Sequence, residues 1–106
     1  MSDPITIEES SGNVFADLGL PDAEQRLAKA DLSIQIGREI RARGLTQAEA
    51  AKLLGMAQLA VSNLLRGQLS GFSMDRLLRF LNALDQDVEI VVRPATQARA
   101  GLRVVA

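Results

Sequence analysis

The twenty-two residues from Thr46 to Gly67, TQAEAAKLLGMAQLAVSNLLRG, constrain the chain most, because start and stop signals follow one another too closely for anything but two short helices. Thr46 and Glu49 form a T-x-x-E capping box: the Thr hydroxyl can accept from the Glu49 amide while the Glu49 carboxylate accepts from the Thr46 amide. A helix is predicted to begin there. Leu45, Ala51 and Leu54 share one side of it, and Gly55 follows where a helix end commonly needs a left-handed residue. After Met56, the residues Ala57, Val61, Leu64 and Leu65 fall at spacings of four, three and one, and so on a single face. Leu59, Ser62, Asn63 and Arg66 point the other way. Gly67 ends the second helix as Gly55 ends the first, and the small Ala51 suits two helices that cross steeply at close range.

Two short helices joined by a tight glycine turn make a helix-turn-helix, in which helix 46–54 crosses a DNA backbone and helix 57–66 enters the major groove. The stretch resembles the helix-turn-helix of the Xre superfamily, which includes lambdoid phage repressors and many antitoxins. The matching features are Thr46-Gln47, Ala51, Gly55 followed by Met56, the Val61-Ser62 pair and Gly67. An ordinary helical hairpin with glycine caps is the competing reading. In a groove, Gln58 has an amide suited to adenine, Leu59 can meet a thymine methyl and Asn63 offers a second amide. Thr46, Gln47, Ser62 and Arg66 are the expected phosphate contacts, Gln47 by carry-over from the family. Two departures bear on affinity. Ala57 stands where related sequences commonly carry a Ser or Thr cap, and Ala60 where they carry a polar or basic residue.

The chain has 106 residues, enough for one small domain, and contains neither Cys nor His. That removes thiol nucleophiles, disulfides, the commonest metal ligand and the usual general base, so neither an enzyme nor a cofactor or metal site is expected. No apolar run approaches the ~20 residues of a membrane span, and MSDPITIEES lacks the basic start and apolar core of a secretion signal. The cytoplasm is the expected compartment. Net charge is -1, yet it is unevenly spread: Asp3, Glu8, Glu9, Asp17, Asp22 and Glu24 occur before residue 26 with no basic residue, and the remainder holds twelve basic against seven acidic residues. An acidic arm on a basic body is compatible with nucleic-acid binding by the body.

Residues 1–21 lack a sustained period and read as an arm, with Val14, Phe15, Leu18 and Leu20 too apolar for a pure tether. Asp22 with Gln25 forms a D-x-x-Q cap behind Pro21, and a long helix is predicted over 22–43, ending at Gly44. Leu27, Ala30 and Ile34 make one apolar stripe on it and Ile36 with Ile40 another, Gly37 permitting close approach. Two stripes imply two neighbours, the Leu27 side meeting the arm or a partner; one wide buried face is the alternative. Ser73 caps a further helix whose Met74, Leu77, Leu78, Leu81 and Leu84 keep helical spacing, with Arg76 and Arg79 outward and Phe80 widening the apolar face beyond what a small domain needs. Val88–Arg93 is rich in β-branched residues and stops at Pro94, which reads as a strand. A lone strand leaves its backbone groups unpaired. Unless Leu102–Val105 folds back on it, pairing of Val88, Ile90 and Val92 with a second copy is expected. Residues 95–106 read as a mobile tail.

The resemblance extends from about Gly12 to Pro94, where GNVFADLGLPDAEQRLAKADLSIQIGREIRARGLTQ and FSMDRLLRFLNALDQDVEIVV are similar to HigA-type antitoxins of the Xre superfamily. It implies an all-α, lambda-repressor-like helix-turn-helix bundle of four to five helices with one C-terminal β-strand paired across a homodimer. The segments are then an arm at 1–21, a DNA-binding domain at 22–86, a dimerisation strand at 87–94 and a tail at 95–106. It also implies a repressor of its own operon that binds a palindromic operator and neutralises a RelE/HigB-like toxin, with Phe15, Leu18 and Leu27 as candidate toxin contacts. A phage-type repressor without a toxin and a protein-binding adaptor with weak DNA affinity are the two other readings.

Overall fold

The computed structural model describes residues 22–95 and 101–105. Among these the chain forms four helices: α1, Asp22–Ala42; α2, Gln47–Leu54; α3, Gln58–Leu65; and α4, Met74–Ala83. α1 packs along α4 and touches α3, while α2 packs on α3 and α4.

α1 buries Ala28, Leu32, Ile36 and Ile40, which recur every four residues and so lie along one side of the helix. Leu27 and Ile34 face outward at 68% and 50% exposure. Two apolar sides are therefore present as expected, but the inward one is longer than Ile36 and Ile40 alone, and Ala28 and Leu32 complete it. Ser33 is also buried, its hydroxyl donating to the Ala30 carbonyl at 2.8 Å, which removes the cost of an unpaired polar group. The D-x-x-Q cap involves the side chain of Asp22, which lies outside the described side chains, as do the arm residues Phe15 and Leu18.

Ile36, Val61, Leu64, Leu77 and Leu84 are fully enclosed and bring α1, α3 and α4 onto one core. Burying a side chain of this size is worth about 1.5–3 kcal/mol. Phe80 belongs to the same core at 5% exposure, so the apolar face of α4 is used up within the chain and nothing is left over. Arg76, expected outward, is half-buried instead: its guanidinium lies 5.1 Å from the Phe72 ring centre and 5.4 Å from that of Phe80. The two rings meet edge to face at 6.0 Å. Cation–π attraction makes this a better site for the guanidinium than its sequence position suggests.

All four helices end alike. The residue in the left-handed conformation is Gly44, Gly55, Gly67 or Asp85, and the next amide reaches back five residues: Leu45 to Ile40, Met56 to Ala51, Gln68 to Asn63, Gln86 to Leu81. Asp85 adopts φ 60° without being glycine, and a set of side-chain bonds holds it there. Arg43 donates to the Leu84 carbonyl at 2.6 Å and to the Asp85 carboxylate at 2.9 Å, and Gln86 donates to the Glu39 carboxylate at 3.1 Å. The C-terminal ends of α1 and α4 are thus tied together.

The predicted strand over Val88–Arg93 is not formed: no β-strand occurs among the described residues. The segment runs extended with Val88 and Ile90 packed against the chain's own core and Val91 and Val92 more than half exposed. Its alternation is that of a strand, but within one chain no neighbouring strand supplies hydrogen-bond partners. Leu102–Val105 does not supply them either. Leu102 and Val104 pack on the core, and the Leu102 amide donates to the Glu24 carboxylate at 3.1 Å, so this part of the expected tail is docked beside the start of α1.

Candidate nucleic-acid interface

Both bonds of the capping box at the start of α2 are present. The Glu49 amide donates to the Thr46 hydroxyl at 3.1 Å and the Thr46 amide to the Glu49 carboxylate at 2.9 Å. The bond from the Thr46 amide, and after it the Thr46 side chain beside the carboxylate, hold the Glu49 carboxyl below its ordinary range by favouring the charged form. With its amide engaged, Thr46 keeps only its hydroxyl for a phosphate, and Glu49 shares that group. Gln47 is exposed on the first turn of α2.

α2 turns its inward side onto α3 through Ala50, Ala51 and Leu54, and α3 answers with Val61 and Leu64. Ala50, which sequence spacing did not single out, is fully enclosed, while Ala51 keeps 8% exposure. Ala50 is thus the more deeply placed of the two small residues. Met56 packs partly on the core and fixes the turn between the helices.

The apolar side of α3 is narrower than the spacing implied. Ala57 is exposed at the N-cap and Leu65 is 37% exposed, so neither is core. Ala57 makes no side-chain cap bond, as its methyl dictates. Ala60 is partly buried against the core. Alanine there is a packing residue as well as a departure from related sequences.

The outward side of α3 carries Gln58 and Leu59, both exposed, Leu59 at 70%; Ser62 and Asn63, both half-buried; and Arg66, exposed at the C-cap. Arg66 Nη2 donates to Asn63 Oδ1 at 2.7 Å. No acidic residue lies on α3. No acidic side chain of α3 offsets the positive end of its dipole, and the face mixes amide, hydroxyl, guanidinium and apolar groups that suit base edges and phosphates.

The other expected site residues are dispersed. Leu27 lies exposed on the far side of α1. Val88 and Ile90 are turned to the core and Val92 is half exposed, so the three do not share one free face. Sequence reasoning passed over Asp75, which is 2% exposed on the first turn of α4 with neither carboxylate oxygen hydrogen-bonded. The positive end of the helix dipole offsets part of that burial. No helix among the described residues is long and apolar enough to cross a membrane.

Residues 14–93 match the model of a family described as "Helix-turn-helix domain". No curated protein matches the chain. A solved structure whose name places it in the XRE family of transcriptional regulators is 46% identical, with a TM-score of 0.73 over 81% of this chain and 97% of that one. With α2, the Gly55 turn and α3 arranged as that motif requires, the chain belongs to the helix-turn-helix family and, within it, to the XRE type.

Proposed function

We propose that this chain is a sequence-specific DNA-binding transcriptional repressor, with α3 laid in the major groove and α2 across the backbone. The observation that carries this is the outward side of α3, where Gln58, Leu59, Ser62, Asn63 and Arg66 gather without an acidic residue while Val61 and Leu64 anchor the opposite side. Gln58 and Leu59 read bases, Asn63 and Arg66 extend that surface, and Thr46, Gln47 and Ser62 meet phosphates. Two copies bind a palindromic operator as a homodimer, their α3 helices about one turn of DNA, ~34 Å, apart. The extended segment 88–93, with Val91 and Val92 outward and its backbone edge unpaired, supports pairing between copies; a monomer in light scattering at micromolar concentration would remove this part.

The repressor serves as the antitoxin of a type II pair, neutralising a RelE/HigB-like toxin and controlling its own operon. This rests on the likeness to HigA-type antitoxins, and the exposed Leu27 and Ile34 on α1 supply an apolar surface beyond the DNA-facing one. A titration of operator affinity against salt tests the DNA reading: several phosphate contacts give log K a steep negative slope against log salt. A flat slope, or no binding, favours a protein-binding adaptor. Rescue of growth on co-expression with a RelE/HigB-like toxin, if a neighbouring gene encodes one, tests the antitoxin role, and its failure with intact DNA binding leaves a repressor without a toxin.

A further inference from the structure

The bond between Arg66 and Asn63 decides which of these two side chains can read a base. They lie three residues apart, one above the other on the same side of α3, and Arg66 Nη2 donates to Asn63 Oδ1 at 2.7 Å. The bond draws the guanidinium back over the preceding turn, along the outward side, instead of letting it run past the helix end at Gly67 toward the sugar-phosphate edge.

Recognition of adenine by an amide needs the oxygen to accept from N6 and the nitrogen to donate to N7. In Asn63 the oxygen already accepts one bond from Arg66, so a base competes for it with one lone pair left, while both amide hydrogens are available. A guanidinium has five N–H groups that form two edges of two parallel donors each. The bond to Asn63 uses one Nη2 hydrogen and leaves one two-donor edge whole. Together the pair presents more donors than acceptors. Guanine offers two acceptors in the major groove, O6 and N7, where adenine offers a donor and an acceptor.

Resting on the reading of α3 as the DNA-facing helix, the geometry points to Arg66 as a reader of guanine and Asn63 as the positioning residue that holds its guanidinium. This exchanges the roles that residue type alone suggests, in which Asn63 reads a base and Arg66 meets a phosphate.

The test uses the full chain. Binding sites are selected from random DNA for the native protein, Arg66→Ala and Asn63→Ala, and affinities are then measured for the selected duplex with guanine or 7-deazaguanine, which lacks the N7 acceptor. The native site is expected to hold a guanine whose preference disappears in Arg66→Ala. Its 7-deaza replacement should weaken native binding by roughly tenfold and leave Arg66→Ala unchanged. Asn63→Ala should lower the guanine preference several-fold while the slope of log K against log salt does not become shallower, because the freed guanidinium keeps its charge and can turn to a phosphate. The assignment is overturned if Arg66→Ala weakens all sequences equally with the base profile intact, or if Asn63→Ala alone erases an adenine preference. Selection of a site without guanine sinks this assignment only. Failure of the native chain to select any sequence sinks the DNA reading with it.

Discussion

Thr46 and Glu49 hold the first turn of α2 by reciprocal bonds, and an exposed pair of this kind fixes where the motif begins. Thr46→Ala is expected to lower stability by about 1 kcal/mol in urea unfolding. The lowered carboxyl of Glu49 gives this cap a pH signature. In the unfolded chain Glu49 titrates near its ordinary value of 4.5, and in the folded chain below it. Between the two the unfolded state binds more protons, so the contribution of Glu49 is present above the ordinary value and is lost as pH falls through the folded one. Unfolding measured across that range should show the gap between native chain and Glu49→Gln closing with acid; a gap that ignores pH would contradict the account. At Asp85 the left-handed backbone disfavours a β-branched side chain. Asp85→Val should cost about 1–2 kcal/mol, and Asp85→Gly should be close to neutral, since it trades strain for an exposed ion pair. Thermal unfolding of both variants checks the difference.

At the scale of elements, what could be read in the sequence was what is decided locally. The caps at Thr46 and Ser73 and the turn at Gly55 are set by residues within four positions of one another, and each is where spacing put it. The orientation of α1 was less legible, because its apolar residues lie on more than one side and only the neighbours decide that Ala28 and Leu32 go inward and Leu27 and Ile34 out. Val88–Arg93 shows the same limit: alternation is visible in the sequence, but a strand also needs a partner. Leu102 and Val104 carried no clear signal, because Val105 is apolar too and only packing decides which of these residues turn inward. Gly37 was read as a close-contact residue. A Cβ there would sit 3.5 Å from Leu65, an ordinary contact, and 3.1 Å from the movable end of Arg41. Gly37→Ala is therefore expected to stabilise the chain by roughly 0.5–1 kcal/mol through helix propensity, read from its midpoint in urea; destabilisation would mean that Arg41 cannot give way.

For the whole molecule, one core to which all four described helices contribute leaves α3 free on a single side, and that side carries no acid. The fold could serve any protein of this family; what this chain recognises depends on the groups that α3 presents. Gln58 separates readout from mere attraction, because it is exposed and uncharged and its loss cannot change the electrostatic pull on DNA. The direct measurement is the affinity of native chain and Gln58→Ala, at one salt concentration, for a selected duplex and for a random one. The account predicts a loss of roughly tenfold on the selected duplex and none on the random one. Equal affinity of the two proteins for both duplexes would contradict it.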